Sequence, residues 1–152
     1  MYVYEPNQYQ FALFLFSEYH FELTTKTLAE AKAFCNSLGQ ILFEPKSFRA
    51  NNEVNELAKT EAPGSAWAIW IGIHDIINEG NFVYDSSNEA IVYENWNPGE
   101  PNNAGSGEDC TEMGIDGGKW NDMPCTPKLP FACENSSKSA SCRHDLRSKI
   151  MK

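Results

Sequence analysis

Apolar and polar residues alternate roughly along the first 23 positions of the chain. The apolar members of this pattern are Tyr9, Phe11, Leu13, Leu15, Tyr19, Phe21 and Leu23. A period of two is typical of strands that bury one face. The segment therefore predicts one or more strands.

A helical period replaces this alternation after residue 26. The apolar face would consist of Leu28, Ala31, Phe34, Cys35 and Leu38. Thr27 and Glu30 have the spacing of a capping box, in which each side chain bonds a backbone amide at the start of a helix. Gly39 can adopt the left-handed conformation that commonly ends a helix. We expect a helix from Thr27 to Leu38.

A second helix and a buried strand follow. Residues 41–43 predict a short strand, and Ser47 can cap a helix that ends at residues 62–65. The inward positions of this helix would be Ala50, Val54, Leu57 and Ala58. Residues 67–73 (WAIWIGI) form a continuous apolar run, which is typical of a strand buried on both faces. We expect five aromatic side chains to belong to the core: Trp67, Trp70, His74, Trp96 and Trp120.

Regular patterns become weak between residues 74 and 126. This region is rich in Asn, Asp, Gly and Pro, with short strand-like pieces at 82–84, 110–113 and 119–120. So long an irregular region within a compact domain usually contains functional loops. Residues 131–133 again read as a strand. We expect one domain over residues 1–134 and a polar, basic, disordered tail over 135–152.

Charge narrows the classes of partner. The chain has 12 basic and 21 acidic residues, a net charge of -9, and five of the basic residues lie beyond residue 133. Residues 1–133 therefore have seven basic and nineteen acidic residues, a net charge of -12. This negative charge disfavours binding to nucleic acid, which requires clustered cations on the protein. It favours a bound cation that would relieve the repulsion.

Hydropathy and cysteine content indicate the compartment. The longest apolar run, residues 11–16, is too short to cross a membrane and has no basic flank, so we expect a mature chain without membrane insertion. Five cysteines stand at positions 35, 110, 125, 133 and 142 without zinc or redox spacing. They favour disulfides in a secreted protein with one thiol left over, and the count alone leaves the pairing open.

Oxygen-bearing side chains are concentrated in the irregular region. Its candidate ligands are Glu100, Asn102, Glu108, Asn121 and Asp122. Ca²⁺ prefers such carboxylate and amide oxygens. No EF-hand loop is present, and the three histidines, at positions 20, 74 and 144, are too scattered for zinc. For any single acid, a solvated turn remains the more common role.

Several short motifs occur together in one order. They are the helix ending in Cys35, Trp70-Ile71-Gly72-Ile73, Asn95-Trp96, Glu100-Pro101-Asn102, Glu108-Asp109-Cys110, Trp120-Asn121-Asp122, Cys125 and Phe131-Ala132-Cys133-Glu134. In this order the chain resembles the C-type lectin-like domain family from about residue 15 to residue 134. A second Glu-Pro-Asn at residues 5–7 has no acidic cysteine motif after it, and we interpret it as incidental.

The resemblance implies a fold and two disulfides. The fold is α+β, with two helices packed on small antiparallel sheets and a long calcium-binding loop region. The bridges are Cys35–Cys133 and Cys110–Cys125, which leave Cys142 unpaired. The principal Ca²⁺ ligands are Glu100, Asn102, Glu108, Asn121 and Asp122, with a cis bond before Pro101.

An auxiliary Ca²⁺ site is also implied. Its ligands would be Asp75, Glu79, Asn103, the backbone oxygen of Glu108, and Asp109. Asn103 departs from the Asp of close relatives, which should weaken this ion without removing the oxygen ligand. The alternative is that Asp75 and Glu79 are only turn acids.

The function implied by the resemblance is Ca²⁺-dependent carbohydrate binding. Two neighbouring sugar hydroxyls would bind the ion, donate to Glu100 and Glu108, and accept from Asn102 and Asn121. The Glu-Pro-Asn order favours mannose, glucose, N-acetylglucosamine or fucose, since galactose goes with Gln-Pro-Asp, although some relatives with Glu-Pro-Asn bind galactose. Single-site affinity would be weak, so we expect a homo-oligomer, with Cys142 as a candidate link, that recognises glycans or glycoproteins on microbial or cell surfaces.

Two other classes of function compete with this interpretation. A glycosidase would use two of the acids as its catalytic pair, but amides that resemble co-ligands surround them, so we do not expect an enzyme. C-type lectin-like domains also serve as protein-binding or ice-binding (antifreeze) modules, which often lose these ligands. The complete set therefore favours sugar binding.

Overall fold

A computed structural model describes residues 18–62, 64 and 67–136. Within them, two helices are α1 (Leu28–Ser37) and α2 (Phe48–Glu61). The strands are β1 (Tyr19–Lys26), β2 (Gln40–Leu42), β3 (Ala68–His74), β4 (Val83–Tyr84), β5 (Cys110–Gly114), β6 (Trp120–Met123) and β7 (Leu129–Asn135). The strands expected around residues 9–15, and the tail beyond residue 136, lie outside the described residues.

The strands form one mixed sheet with the order β1-β7-β3-β5-β6, while β2 pairs with β7 and β4 pairs with β3. The pairing is antiparallel except between β3 and β7, which run parallel at Trp70 and Phe131. The α+β class is therefore confirmed, but the expected small sheets are joined into one. They join because β7, the last strand, pairs with β1 on one side and with β3 on the other.

Helix α1 begins with the capping box that the sequence predicts. Thr27 Oγ1 accepts from the Glu30 amide at 3.3 Å, and the Thr27 amide donates to Glu30 Oε2 at 3.0 Å. The helix buries Leu28, Ala31 and Cys35. Leu38 lies after the helix and is 49% exposed, so its predicted place on the apolar face is wrong.

Both disulfides implied by the resemblance are present. Cys35 of α1 is bonded to Cys133 of β7, across 98 residues of sequence. Cys110 of β5 is bonded to Cys125, across 15 residues. The long bridge joins the first helix to the last strand, and the short one ties the end of the irregular region to β5.

Helix α2 begins at Ser47, whose Oγ accepts from the Ala50 amide at 3.2 Å. Val54 and Ala58 are buried, as predicted. The helix also buries Asn51 and Asn55, which an apolar pattern does not identify. These two amides face the turn at Gly118, where a Cβ atom would approach Asn51 Nδ2 to 2.7 Å.

Strand β3 is the centre of the core, since every one of its residues is buried. Its side chains alternate between two apolar clusters: Ile69, Ile71 and Ile73 pack with α2, while Ala68 and Trp70 pack with α1. Trp67 precedes the strand and is 66% exposed, so the expectation that it belongs to the core is wrong. Its carbonyl accepts from the Ile115 amide at 3.0 Å, and the strand begins one residue later.

Within the described residues, no helix combines the length and apolar character needed to cross a membrane.

Candidate metal and sugar site

The loop between residues 95 and 109 is folded by local hydrogen bonds. The Glu100 amide donates to the Asn97 carbonyl at 3.0 Å, and the Glu100–Pro101 peptide bond is cis, the isomer that the resemblance implies. Asn103 has a φ of 47°, a left-handed conformation that asparagine tolerates better than most residues. Its Oδ1 accepts from the Glu108 amide at 2.8 Å, so one side chain closes the turn that brings residue 108 back towards residue 103.

Strands β5 and β6 bring the other candidate ligands to this loop. Glu108 and Asp109 directly precede β5, and Asn121 and Asp122 lie within β6. The two strands are antiparallel. Residues far apart in sequence therefore meet at the edge where β5 begins.

Asp122 is the structural centre of the principal set. It is almost completely buried, and its two carboxylate oxygens accept from the backbone amides of Asn102 at 3.0 Å and Asn103 at 2.8 Å. Glu108 Oε2 accepts from the Ala104 amide at 2.8 Å. These carboxylates thus hold the loop while they border the same space.

Glu100 is held close to both of these acids. Burial raises the pKa of its carboxyl, and the neighbouring carboxyl of Asp122 and the charge of Glu108 raise it further, while Asn102 opposes the shift. Glu100 Oε2 is buried and has no hydrogen-bond partner among the described residues. A buried carboxylate oxygen without a partner is costly, and a bound cation would compensate for it.

The Asn121 side chain is hydrogen-bonded to Glu112, its neighbour on strand β5. Its Nδ2 donates to Glu112 Oε1 at 3.1 Å across the β5–β6 pair. Burial raises the pKa of Glu112 to about 7, and the charge of Glu108 contributes to the same shift. Glu112 therefore lies next to the principal set, although sequence analysis did not select it; the signal was an acid in the middle of a predicted strand.

The auxiliary residues also come together. Asp75 is 2% exposed, its Oδ2 accepts from the Gly80 amide at 2.7 Å, and its Oδ1 has no hydrogen-bond partner within the described part of the chain. Burial raises the pKa of Glu79, and Asp75 and Asp109 raise it further, while Asn103 opposes the shift. The Asp75 amide donates to the Asp109 carbonyl at 3.1 Å. Asn103 thus contacts both sets of residues.

The donor chemistry fits Ca²⁺. Both sets consist of carboxylates and amides, which are hard oxygen ligands. Each contains a buried oxygen for which the described residues supply no hydrogen-bond partner. Over the described ranges, no three acidic, histidine or cysteine side chains form a metal-binding group by themselves. An ion here would therefore depend on Asn102, Asn121 and backbone oxygens as well as on the acids.

A buried amide network anchors the start of β6. Trp120 Nε1 donates to Asn51 Oδ1 at 2.7 Å, and Asn51 Nδ2 donates to the Gly118 carbonyl at 3.0 Å. Asn95 Nδ2 donates to the same carbonyl at 2.6 Å. The network connects helix α2 to the strand that bears Asn121 and Asp122, and its member Asn51 carried no recognisable signal in the sequence.

Comparisons with known proteins agree with this architecture. A family model described as Lectin C-type domain matches residues 24–135. Collectin-11 of Danio rerio is 38% identical over 109 residues, which are 72% of this chain and 39% of the collectin. The chain thus spans about two fifths of the length of that relative.

Two solved structures illustrate the range of the fold. The C-type carbohydrate-recognition domain of cow CD23, determined in the presence of a GlcNAc2Man3 oligosaccharide, has a TM-score of 0.66 and 33% identity, covering 76% of this chain and 84% of that one. A calcium-independent type II antifreeze protein has a TM-score of 0.63 and 24% identity, covering 76% and 82%. The second likeness shows the fold alone.

The matched family consists of binding proteins, so the expectation that this domain is not an enzyme is confirmed. Its members are typically lectins that bind carbohydrate and Ca²⁺, which agrees with the donor set described above. From its motifs, its fold and these matches, the chain belongs to the C-type lectin domain family.

Proposed function

We propose that this domain is a Ca²⁺-dependent lectin of the mannose type. The observation that carries the proposal is the convergence of Glu100, Glu108 and Asp122, together with the buried, unpartnered oxygen of Glu100. In a body with a net charge of -12, such a group is stabilised by a cation. The five residues that would hold it are Glu100, Asn102, Glu108, Asn121 and Asp122.

A bound Ca²⁺ would supply further coordination positions, to which two neighbouring sugar hydroxyls can bind. The protein side chains would complete the hydrogen bonds of those hydroxyls. Glu100 and Glu108 are acceptors, while Asn102 and Asn121 can donate through their amide nitrogens. Because both donors and acceptors are available, each hydroxyl can donate one hydrogen bond and accept another.

The order of acid and amide supports mannose-type sugars. Glu100 precedes Asn102 around Pro101, and Glu108 follows six residues later. This is the arrangement expected for mannose, glucose, N-acetylglucosamine or fucose. The cow CD23 domain was determined in the presence of a mannose-containing oligosaccharide, which supports the same class of ligand here.

The auxiliary group supports a second ion. Asp75, Glu79, Asn103 and Asp109 are close together, and the Glu108 amide donates to Asn103 Oδ1. A second Ca²⁺ would neutralise the acids that raise the pKa of Glu79. It would also order the loop that holds Glu108.

The biological setting follows from the same chemistry. Two disulfides support an oxidising compartment, so we propose that the protein is secreted. A site that contacts two hydroxyls has weak affinity for one sugar, and several sites on one assembly would give useful binding to a glycan-coated surface. The proposed link through Cys142 lies outside the described residues.

A glycan array probed with Ca²⁺ and again with a chelator tests the proposal. We expect retention on mannose-type glycans with Ca²⁺ and loss of retention with the chelator. The double variant E100Q/N102D should lose mannose-type binding and move towards galactose, while E61Q, which changes an exposed acid at the end of α2, should behave as wild type. Equal binding with and without the chelator would refute a calcium-dependent mechanism.

Ice binding is the second candidate, favoured only by the fold likeness to an antifreeze protein. Thermal hysteresis of the purified domain without any glycan response would support it. A partner captured equally well with and without competing sugar would instead support a protein-binding module.

A further inference from the structure

Glu112 is an acid buried in the sheet beside the principal set. It lies in β5 opposite Asn121 of β6 and is 4% exposed. Its Oε1 accepts from Asn121 Nδ2 at 3.1 Å, and its Oε2 is buried without a hydrogen-bond partner in the residues that the structure describes. None of the ligand sets described above includes it.

The bond between these residues determines which way the Asn121 amide points. An asparagine amide has an oxygen that accepts and a nitrogen that donates two protons, and its two orientations are nearly equal in shape. In the structure Glu112 Oε1 is the acceptor and Asn121 Nδ2 is the donor. Glu112 therefore selects the orientation in which Nδ2 faces it and Oδ1 faces away.

Fold stability does not explain this acid. A buried carboxylate with one oxygen unpaired costs free energy, and an apolar side chain of similar volume is often neutral or stabilising at such a place. Glu112 forms a hydrogen bond to one candidate ligand and interacts electrostatically with another, Glu108. The contact that explains an acid at this position is the hydrogen bond to Asn121, and it therefore lies at the proposed site.

We propose that Glu112 is the positioning residue for Asn121. By accepting one Nδ2 proton, it directs Asn121 Oδ1 to the metal and leaves the second Nδ2 proton for a sugar hydroxyl. This inference rests on the proposed function and assigns the orientation of one of its five ligands to a residue outside the set. Residues that orient a metal ligand commonly change metal affinity about 10- to 100-fold when they are removed.

Three variants separate a positioning role from a structural one. E112L removes the acceptor while it fills the buried space. E112Q can still accept through its amide oxygen. E134Q is the matched control, because Glu134 is a partly buried acid on β7 of the same sheet whose carboxylate accepts from the Glu44 amide.

Each variant is measured for the Ca²⁺ concentration that gives half-maximal retention on a mannose-coated surface, and for its melting temperature in chelator. The side-chain amide of Asn121 is followed by NMR in chelator, which reports the bond to Glu112 without metal or sugar. We expect E112L to need about 10- to 100-fold more Ca²⁺, without a lower melting temperature, and to lose the protection of one Asn121 amide proton. E112Q and E134Q should stay within a few-fold of wild type in Ca²⁺ requirement.

A Ca²⁺ requirement for E112L equal to that of wild type would overturn the positioning role while the proposed function stands. If E112L does not fold, an unprotected Asn121 amide in the wild-type protein, or a Ca²⁺ requirement of E112Q raised about 10-fold or more while E134Q stays near wild type, would overturn it instead. If wild-type protein is not retained with Ca²⁺, the proposed function fails, and this inference fails with it.

Discussion

Replacing Asn51 by alanine removes the side chain through which helix α2 is hydrogen-bonded to β6. Two bonds are lost, one from Trp120 Nε1 at 2.7 Å and one to the Gly118 carbonyl at 3.0 Å. The carbonyl keeps Asn95 Nδ2 as a donor at 2.6 Å. The Trp120 indole N–H keeps no partner and lies in a residue with no exposed surface.

A buried donor left unpaired costs about 1–3 kcal/mol. Alanine also favours the helix by roughly 0.5 kcal/mol relative to asparagine, so the comparison requires a variant with the same gain. N52A provides it, because Asn52 is the next residue of the same helix and is exposed. We expect N51A to be about 2 kcal/mol less stable than N52A, a difference of roughly 8 °C in melting temperature.

Thermal unfolding followed by circular dichroism in chelator measures this difference without a contribution from metal. N51A should also require more Ca²⁺ for sugar retention, since Trp120 directly precedes Asn121 and Asp122. The double variant N51A/W120F removes the donor as well as the acceptor, so its loss should be smaller than the sum of the two single losses. Equal stability of N51A and N52A would refute the reasoning.

Three other predictions concern the fold. Burial raises the pKa of Glu134 to about 7 from an ordinary value of 4.5, so between these values the folded chain keeps a proton that the unfolded chain has lost. Stability from this group is therefore greatest in acid and falls as pH rises towards 7, and E134Q should flatten this part of the pH profile in chelator. Removing the Cys35–Cys133 bridge should cost about 4–5 kcal/mol, against about 3 kcal/mol for Cys110–Cys125, as read from denaturant unfolding of the paired Cys→Ala variants. W67S should change stability by less than about 0.5 kcal/mol, because this side chain is largely exposed.

Each of these predictions has a contrary outcome. A pH profile of E134Q parallel to that of wild type would show that Glu134 titrates normally. A larger loss from the short bridge than from the long one would contradict the loop-entropy argument. Marked destabilisation of W67S would show that Trp67 has packing that its exposure does not reveal.

Local features of the fold could be predicted from the sequence because they depend on residues close together in the chain. The capping box of Thr27 and Glu30, the cap at Ser47 and the buried character of β3 are of this kind. Propensity, periodicity and capping are properties of a few neighbouring residues. The order of motifs then added the family and, through it, the disulfide pairs and the candidate ligands.

Predictions of burial from the sequence were wrong or missing where burial depends on packing partners in the folded chain. Trp67 and Leu38 are apolar and were predicted to be buried. Trp67 lies just before β3 and Leu38 just after α1, and both side chains remain largely exposed. Asn51 was not among the inward positions predicted for α2, yet it is buried and bonded to the Trp120 indole and the Gly118 carbonyl. Gly118 is 67 residues and Trp120 is 69 residues from Asn51 in the sequence, beyond the range of any local pattern.

The sequence by itself determined the elements, the family and the identity of the oxygen donors, because residue type and short-range order carry that information. Only the tertiary structure decided how those donors meet. The pairing of β5 with β6 places Asn121 opposite Glu112, and the loop after Pro101 closes onto the Asp122 carboxylate. These contacts join residues separated by many positions, and their geometry depends on strand register and burial, which are properties of the whole folded chain.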